Sequence, residues 1–236
     1  MIKSLLVTNG GNTKIDKSQR GTNYRIASLS LAPNDVICPN RKIAQCDVDC
    51  LFKSGRGQMK AVQESRRAKS KLWHKDRFAF LRLLRHDIET HIRRSKKAGQ
   101  IPAIRLNTIS DIDWENYGIF QDYPELVGYD YTKIPERIGN TPDNYRLMFS
   151  YSGAAGYAGK VRKALELDAP ISVVFRDGFP SSFLGRPVID GDRSDLFNLE
   201  ARGKIVGLKL KGGKDIQRSS SPFIVNNPEL ALQEIA

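Results

Sequence analysis

The segment Ala169-Pro170-Ile171-Ser172-Val173-Val174-Phe175-Arg176-Asp177-Gly178 decides the fold. A short, nearly continuous apolar run stands here between a proline and an Arg-Asp-Gly turn. A strand that hardly alternates apolar with polar is buried on both faces, which is the habit of parallel sheets. Just upstream, Tyr157–Leu167 has the apolar spacing of a helix. Parallel strands need such a crossover. The texture repeats in Ala103–Asn107, Leu126–Tyr131, Arg146–Ser150, Pro187–Asp190 and Ile205–Lys211, separated by loops rich in Gly, Pro and Asp. These runs predict an α/β chain with a mostly parallel sheet, and an open or partial β/α barrel fits their number.

Upstream of these runs, residues 58–98 read as helix in two segments broken near Ser70. Phe78, Leu81, Leu84, Ile88 and Ile92, with Trp73 ahead of them, recur at three- and four-residue spacing and predict a core-facing stripe. Gly99 is the stop. Residues 1–37 alternate polar turns with runs such as Arg25–Leu31, the pattern of a strand or hairpin. A Ser219-Ser220-Ser221-Pro222 loop and a short terminal helix close the chain. The 236 residues read as one domain: 1–57 with N-terminal strands and a cysteine loop, 58–98 with basic helices, 99–236 with α/β strands. No apolar run approaches a membrane span. The one at Met1–Gly10 is too short for a signal peptide. The expectation is a cytosolic chain with no membrane partner.

Charge is concentrated. Between Lys53 and Lys97 stand 15 basic and four acidic residues, so this window carries +11 of the chain's +12. Clustered cations suit a polyanion, most simply DNA or RNA, with Arg66, Arg67, Arg93 and Arg94 as the phosphate contacts. The plainer reading is a solvated helix face that keeps the protein soluble.

All three cysteines fall in 13 residues, Cys38, Cys46 and Cys50, spaced C-x7-C-x3-C. An odd number in a cytosolic chain argues against disulfides. One helical turn would bring Cys46 and Cys50 to one face, and Cys38 could close the site from the preceding loop. Structural zinc wants four ligands, and His74 is the candidate fourth. His86 and His91, five apart, would sit about 140° apart on a helix and make no clamp. Three thiolates without an obvious fourth lean toward a [4Fe–4S] cluster with one open iron. Three thiols that bind nothing are the plain alternative.

Ligands of parallel sheets bind beyond the carboxyl ends of the strands, and several of these ends are polar here. Asn107, Asp111, Lys133, Ser150, Asp190 and Asp192 are the expected pocket lining. Asp190, Asp192 and Asp195 could hold a divalent cation, although Asp-Gly-Asp is also an ordinary turn. No Gly-x-Ser-x-Gly, Walker A or Gly-x-Gly-x-x-Gly motif is present.

Three blocks taken together, Cys38-Pro39 through Cys46 and Cys50-Leu51 to Gly55-Arg56-Gly57, then Arg105-Leu106-Asn107-Thr108 with Ser110-Asp111-Ile112, then Val188-Ile189-Asp190-Gly191-Asp192 with Asp195, resemble a family of phage- and prophage-encoded proteins of unassigned function. The resemblance runs from about residue 10 to residue 212 and implies a location in the host cytoplasm. A second likeness is to radical-SAM enzymes, which share a cysteine triad ahead of a partial β/α barrel. It implies a cluster on Cys38, Cys46 and Cys50 whose open iron binds S-adenosylmethionine. The spacing differs from that class's usual C-x3-C-x2-C, and its Gly-Gly-Glu-type segment is not evident. Two functions follow as expectations. One is a radical-SAM-like iron–sulfur enzyme, or enzyme-like protein, acting on nucleic acid or a nucleotide-sized substrate. The other is a nucleic-acid-binding module of phage replication whose metal, iron–sulfur or zinc, is purely structural.

Overall fold

The structure, a computed structural model, describes residues 2–8, 13–199 and 201–226. In chain order the elements are α1 (Thr13–Gln19), β1 (Tyr24–Ser28), α2 (Lys60–Lys75), α3 (Arg77–Lys97), β2 (Ile101–Arg105), α4 (Ile119–Asp122), β3 (Val127–Thr132), β4 (Tyr145–Ser150), α5 (Ala158–Glu166), β5 (Ile171–Phe175), β6 (Ser182–Phe183), β7 (Arg186–Asp190), β8 (Ile205–Lys209), α6 (Lys214–Gln217) and β9 (Ile224–Val225). Each apolar run from Arg25–Leu31 to Ile205–Lys211 overlaps a strand, and Tyr157–Leu167 contains α5.

Among the described residues, nine strands form one sheet in the order β1-β2-β3-β4-β5-β8-β7-β6, with β9 also paired to β5. Every pairing is parallel except β6 with β7. β1 to β5 therefore stand side by side in chain order, as in a sheet that begins to curl toward a barrel. The sheet stays open. α1 packs on β1, and a turn at Asp195–Leu199 packs on β3 and β4. Ile15, Leu196 and Leu199 meet Ile26, Ala103 and Tyr129 there, so this face is filled without closure.

The opposite face carries the main core. Leu84, Ile88 and Ile92 of α3 pack with Ala27, Ile104 and Leu147 of the sheet. Trp73 meets Phe80 and Trp114 edge-on, with ring centroids 5.1 and 5.3 Å away. Farther along, Val161 and Ala164 of α5 pack with Phe149, Ile171 and Val173. Gly99, at φ +65°, turns the chain out of α3 into β2.

Several local expectations are corrected. The helix break falls at Asp76, whose side chain caps α3 by accepting from Ala79 N at 2.8 Å. Ser70 stays within α2, where its Oγ donates to Arg66 O and accepts from Ala32 N. Phe78 is 77% exposed, because the buried stripe runs through Phe80, Leu84, Ile88 and Ile92 and leaves Phe78 about 200° away from Phe80. Among the described residues the N-terminal region holds one strand rather than a hairpin: β1 pairs in parallel with β2, and Val7 joins it only through a single antiparallel bridge at Ser28. Cys46 and Cys50 are not on a helix: Gln45 at φ +50° turns the chain into a succession of turns. The expected terminal helix lies outside the described residues.

Gly128 in β3 is pressed beneath the stacked rings of Phe120 and Tyr145, whose centroids are 4.0 Å apart. A β-carbon there would strike Phe120 and come within 2.7 Å of Tyr145 Cδ2. Gly128→Ala is expected to lower unfolding free energy by about 1–3 kcal/mol, as overpacking does. Urea denaturation measures it.

Candidate functional site

The carboxyl ends of β2, β3 and β4 are knit together by buried polar groups. After β2, the Asn107 side-chain oxygen accepts from Ser110 Oγ (2.8 Å), Ile112 N (2.9 Å) and Trp114 Nε1 (3.1 Å), while its Nδ2 donates to Ile112 O. Leu106 N and Asn107 N donate to Asp130 of β3, as does Tyr145 OH from β4. Asp130 is fully buried. Burial pushes its carboxyl up to about 7, against the pull of Arg105 and these donors.

Asp111 lies one loop farther on. Its Oδ1 receives Arg137 Nη1 at 2.6 Å and its Oδ2 receives Lys133 N at 2.7 Å. Arg137 also grips Glu115 through Nε and Nη2. The Lys133 ammonium reaches back to Ser150 Oγ at 2.9 Å and Ser150 O at 3.2 Å, with the Phe223 ring 4.3 Å away. Burial lowers the Lys133 pKa and raises that of Asp111.

The cysteine loop lies across these strand ends. Ile37 O accepts from Asp111 N, Ala44 O from Ser152 Oγ, and Gln45 O from Ser221 Oγ. Asp49 accepts from Ser219 Oγ at 2.8 Å. All three thiols are half-buried and free. Cys38 Sγ has Ile109 O at 3.5 Å, and Cys46 Sγ has Arg41 O at 3.7 Å. Burial raises each thiol's pKa. Cys38 is pushed up further by Asp111, Cys50 and Cys46, and Cys50 by Cys46, so the three are electrostatic neighbours. Among the described residues, no three His, Cys, Asp or Glu side chains are already arranged around a metal position.

Beneath the loop is a cavity of about 270 Å³. Of the residues expected from the sequence, Asn107, Asp111, Lys133, Ser150 and Asp192 line it, together with Cys46 and Cys50. Asp190 and Cys38 do not. Lining a cavity is not the same as being free to bind: Asn107, Asp111 and Asp192 have their polar atoms engaged. Asp192 accepts from Lys209 N and pairs with Lys211 Nζ at 2.5 Å. Asp190 accepts from Asp192 N, while Asp195 is buried against Arg105. The three aspartates thus do not converge on a cation. His74 Nε2 lies 2.9 Å from Asn34 Nδ2 rather than beside the thiols. His91 Nε2 donates to Ala103 O and Arg25 O inside the core.

Sequence reasoning missed Arg105, Thr108, Tyr131 and Phe223, all of which line the cavity. Arg105 offered a signal: it is a cation that ends an otherwise apolar strand. Phe223 offered none, since β9 has two residues. The four arginines assigned to phosphate do not share one surface. Arg66 and Arg67 flank Phe52, at 6.0 and 5.7 Å from its ring, near the cysteine loop. Arg93 and Arg94 lie at the end of α3, one short turn before β2 begins and so at the opposite end of the sheet.

Fold and site define an open, mostly parallel α/β protein with a ligand-sized cavity under a cysteine loop at the strand carboxyl ends. The chain belongs to the gene product 88 family, whose model matches residues 4–226. That match fits the phage-type family expected from the residue pattern. No curated protein and no solved structure matches the chain. The likeness to radical-SAM enzymes finds no support among these comparisons. Among the described residues, no helix is long and apolar enough to cross a membrane.

The raised Asp130 pKa predicts a pH dependence. Between about 4 and about 7 the folded chain holds a proton at Asp130 that the unfolded chain has lost. This contribution to stability is complete at low pH and is lost as pH rises through about 7, at up to about 1.4 kcal/mol per pH unit. Urea unfolding of the natural protein and of Asp130→Asn across this window checks it: the difference between their stabilities should fall with rising pH and level off above about 7.

Proposed function

We propose that the cysteine loop and the strand-end cavity form one composite centre, in which Cys38, Cys46 and Cys50 hold a [4Fe–4S] cluster over a small-molecule site. The observation that carries this reading is that Cys46 and Cys50 stand in the wall of one cavity, while Cys38, from the same 13 residues, is near enough to both for their charges to raise its proton affinity. Half-buried thiols that raise one another's proton affinity resist ionising, and a bound cationic iron centre would remove that obstacle. The donor set also fits. Three sulfurs suit a cluster with one open iron. A structural zinc site would need a fourth ligand, and His74 is engaged by Asn34. When bound, such a cluster supplies one-electron transfer and a coordination position for a polar ligand. S-adenosylmethionine is the candidate ligand that the sequence resemblance implies, with nucleic acid or a nucleotide-sized molecule as its reaction partner.

The chain's own residues have clear tasks in this reading. Asp111 and Arg137 fix the loops around the cavity, Lys133 offers a buried positive charge beside Cys46, and Phe223 excludes water from its ammonium. Anaerobically purified protein is expected to be brown, with a broad band near about 400 nm and about four irons per chain. Cys46→Ser should lose most of this iron, and full iron retention in that variant would overturn the proposal. Addition of S-adenosylmethionine and a reductant, with cleavage products assayed, tests the ligand.

One observation favours a second reading. Lys60, Lys71, Lys75 and Arg82 are exposed and make no ion pair among the described residues, whereas Arg85 and Lys96 are paired with Asp122 and Glu125. A nucleic-acid-binding module with a structural metal would use these cations. It predicts a log–log salt slope of about −5 if about six phosphates are neutralised. A colourless protein with that slope favours the module, and affinity independent of salt removes it.

A further inference from the structure

We infer that the strand-end cavity binds a small carboxylate with an apolar body, its anionic group forked by the free edge of Arg105. This rests on the cavity and on Arg105, and not on the metal. Arg105 is 7% exposed and lies over Tyr131, its Cζ 4.7 Å from the ring centroid. Asp195 takes Nη1 at 2.8 Å and holds the guanidinium in one orientation. Nε, on the other edge, is buried and without a hydrogen-bond partner. The Nε–Nη2 edge of an arginine is a planar two-donor fork that matches a carboxylate. A buried donor left unpaired costs free energy, and here an anion would satisfy it.

A second orphan adjoins the same cavity. Thr108 Oγ1 is buried and has no partner, so its hydroxyl can donate to the same anion. Lys133 adds positive charge, with two of its three protons directed to Ser150. The remaining wall is apolar, with Val174, Leu208, Leu210 and Phe223 among the lining. A volume of about 270 Å³ falls at the low end for ligand pockets. The occupant is therefore a compact monoanion with an apolar or aromatic body.

The probe is benzoate, with benzamide as its neutral isostere and inorganic phosphate as a compact anion without a body. Calorimetry on the full chain should give benzoate a dissociation constant at least about tenfold below that of benzamide, a difference of about 1.4 kcal/mol. Arg105→Ala would strand Asp195 in the core and confuse folding with binding. The substitution used is therefore Thr108→Val, expected to weaken benzoate about three- to tenfold. The Arg105 Nε–H resonance should move on addition of benzoate. Binding should persist in Cys46→Ser, which separates this site from any thiol-bound metal. Equal binding of benzamide, tighter binding of phosphate, an unmoved Arg105 resonance, or loss of benzoate binding in a folded Cys46→Ser protein would each overturn the proposal.

Discussion

The site end of the molecule hangs on the carboxylate of Asp111. Its two oxygens are divided between Arg137 Nη1 and Lys133 N, while its own backbone N–H donates to Ile37 O. Three loops meet at this residue: the one after β1 that carries the cysteines, the one after β2 that contains Asp111, and the one after β3 that contains Lys133 and Arg137. In a sheet whose first strands follow chain order, such loops necessarily emerge side by side at one edge. Proximity alone leaves them mobile, because loops bury little surface of their own. A buried aspartate with three separate partners, two on its carboxylate and one on its backbone N–H, converts neighbouring loops into one wall.

The open sheet has a parallel device on its inner face. Arg105 reaches across to Asp195, and Asp195 N in turn donates to Ser18 Oγ in α1. The turn at Asp195–Leu199 is thereby held over β3 and β4, where a closed barrel would have filled its interior with side chains from further strands. One ion pair thus has two consequences. It holds the turn that fills the inner face, and it fixes the orientation of Arg105, a residue of the cavity wall.

Most strand and helix positions were legible in the sequence because they depend on periodicity, which is local; the order of the strands in the sheet was not. The runs at Ile171–Arg176 and Ile205–Lys211 read as buried strands, and they are neighbours in the sheet although 28 residues separate them. Polar strand ends were legible as a group for the same reason: a polar residue closing an apolar run is conspicuous. What each polar group does was not legible, since this depends on partners far along the chain. Asp192 looked like a cation ligand and is the acceptor for Lys209 N and Lys211. Asn107 looked like a ligand contact and spends its amide holding the loop to Trp114. Arg105 looked like one cation among 38 basic residues, and only its pairing with Asp195, 90 residues away, gives it an orientation. Phe78 failed for a different reason: a three- or four-residue spacing fits more than one helical stripe, and tertiary contacts choose between them.

The distribution of charge carries its own message about purpose. The excess of +11 between Lys53 and Lys97 lies mostly in water, where it shapes solubility and long-range attraction without deciding the fold. The ends of β2 and β3 and the turn that covers them hold fewer charges, and six of these are buried: Arg105, Asp111, Asp130, Lys133, Arg137 and Asp195 are each at most 9% exposed. Buried ion pairs give little net stability, because desolvation consumes most of the attraction, and apolar replacements of similar size often do better. A chain under demand for stability alone would have packed this edge with leucine and valine, as it packed the opposite face. Three of these six, Arg105, Asp111 and Lys133, line the cavity, so its wall holds charges fixed in orientation at a cost that packing alone would not have incurred.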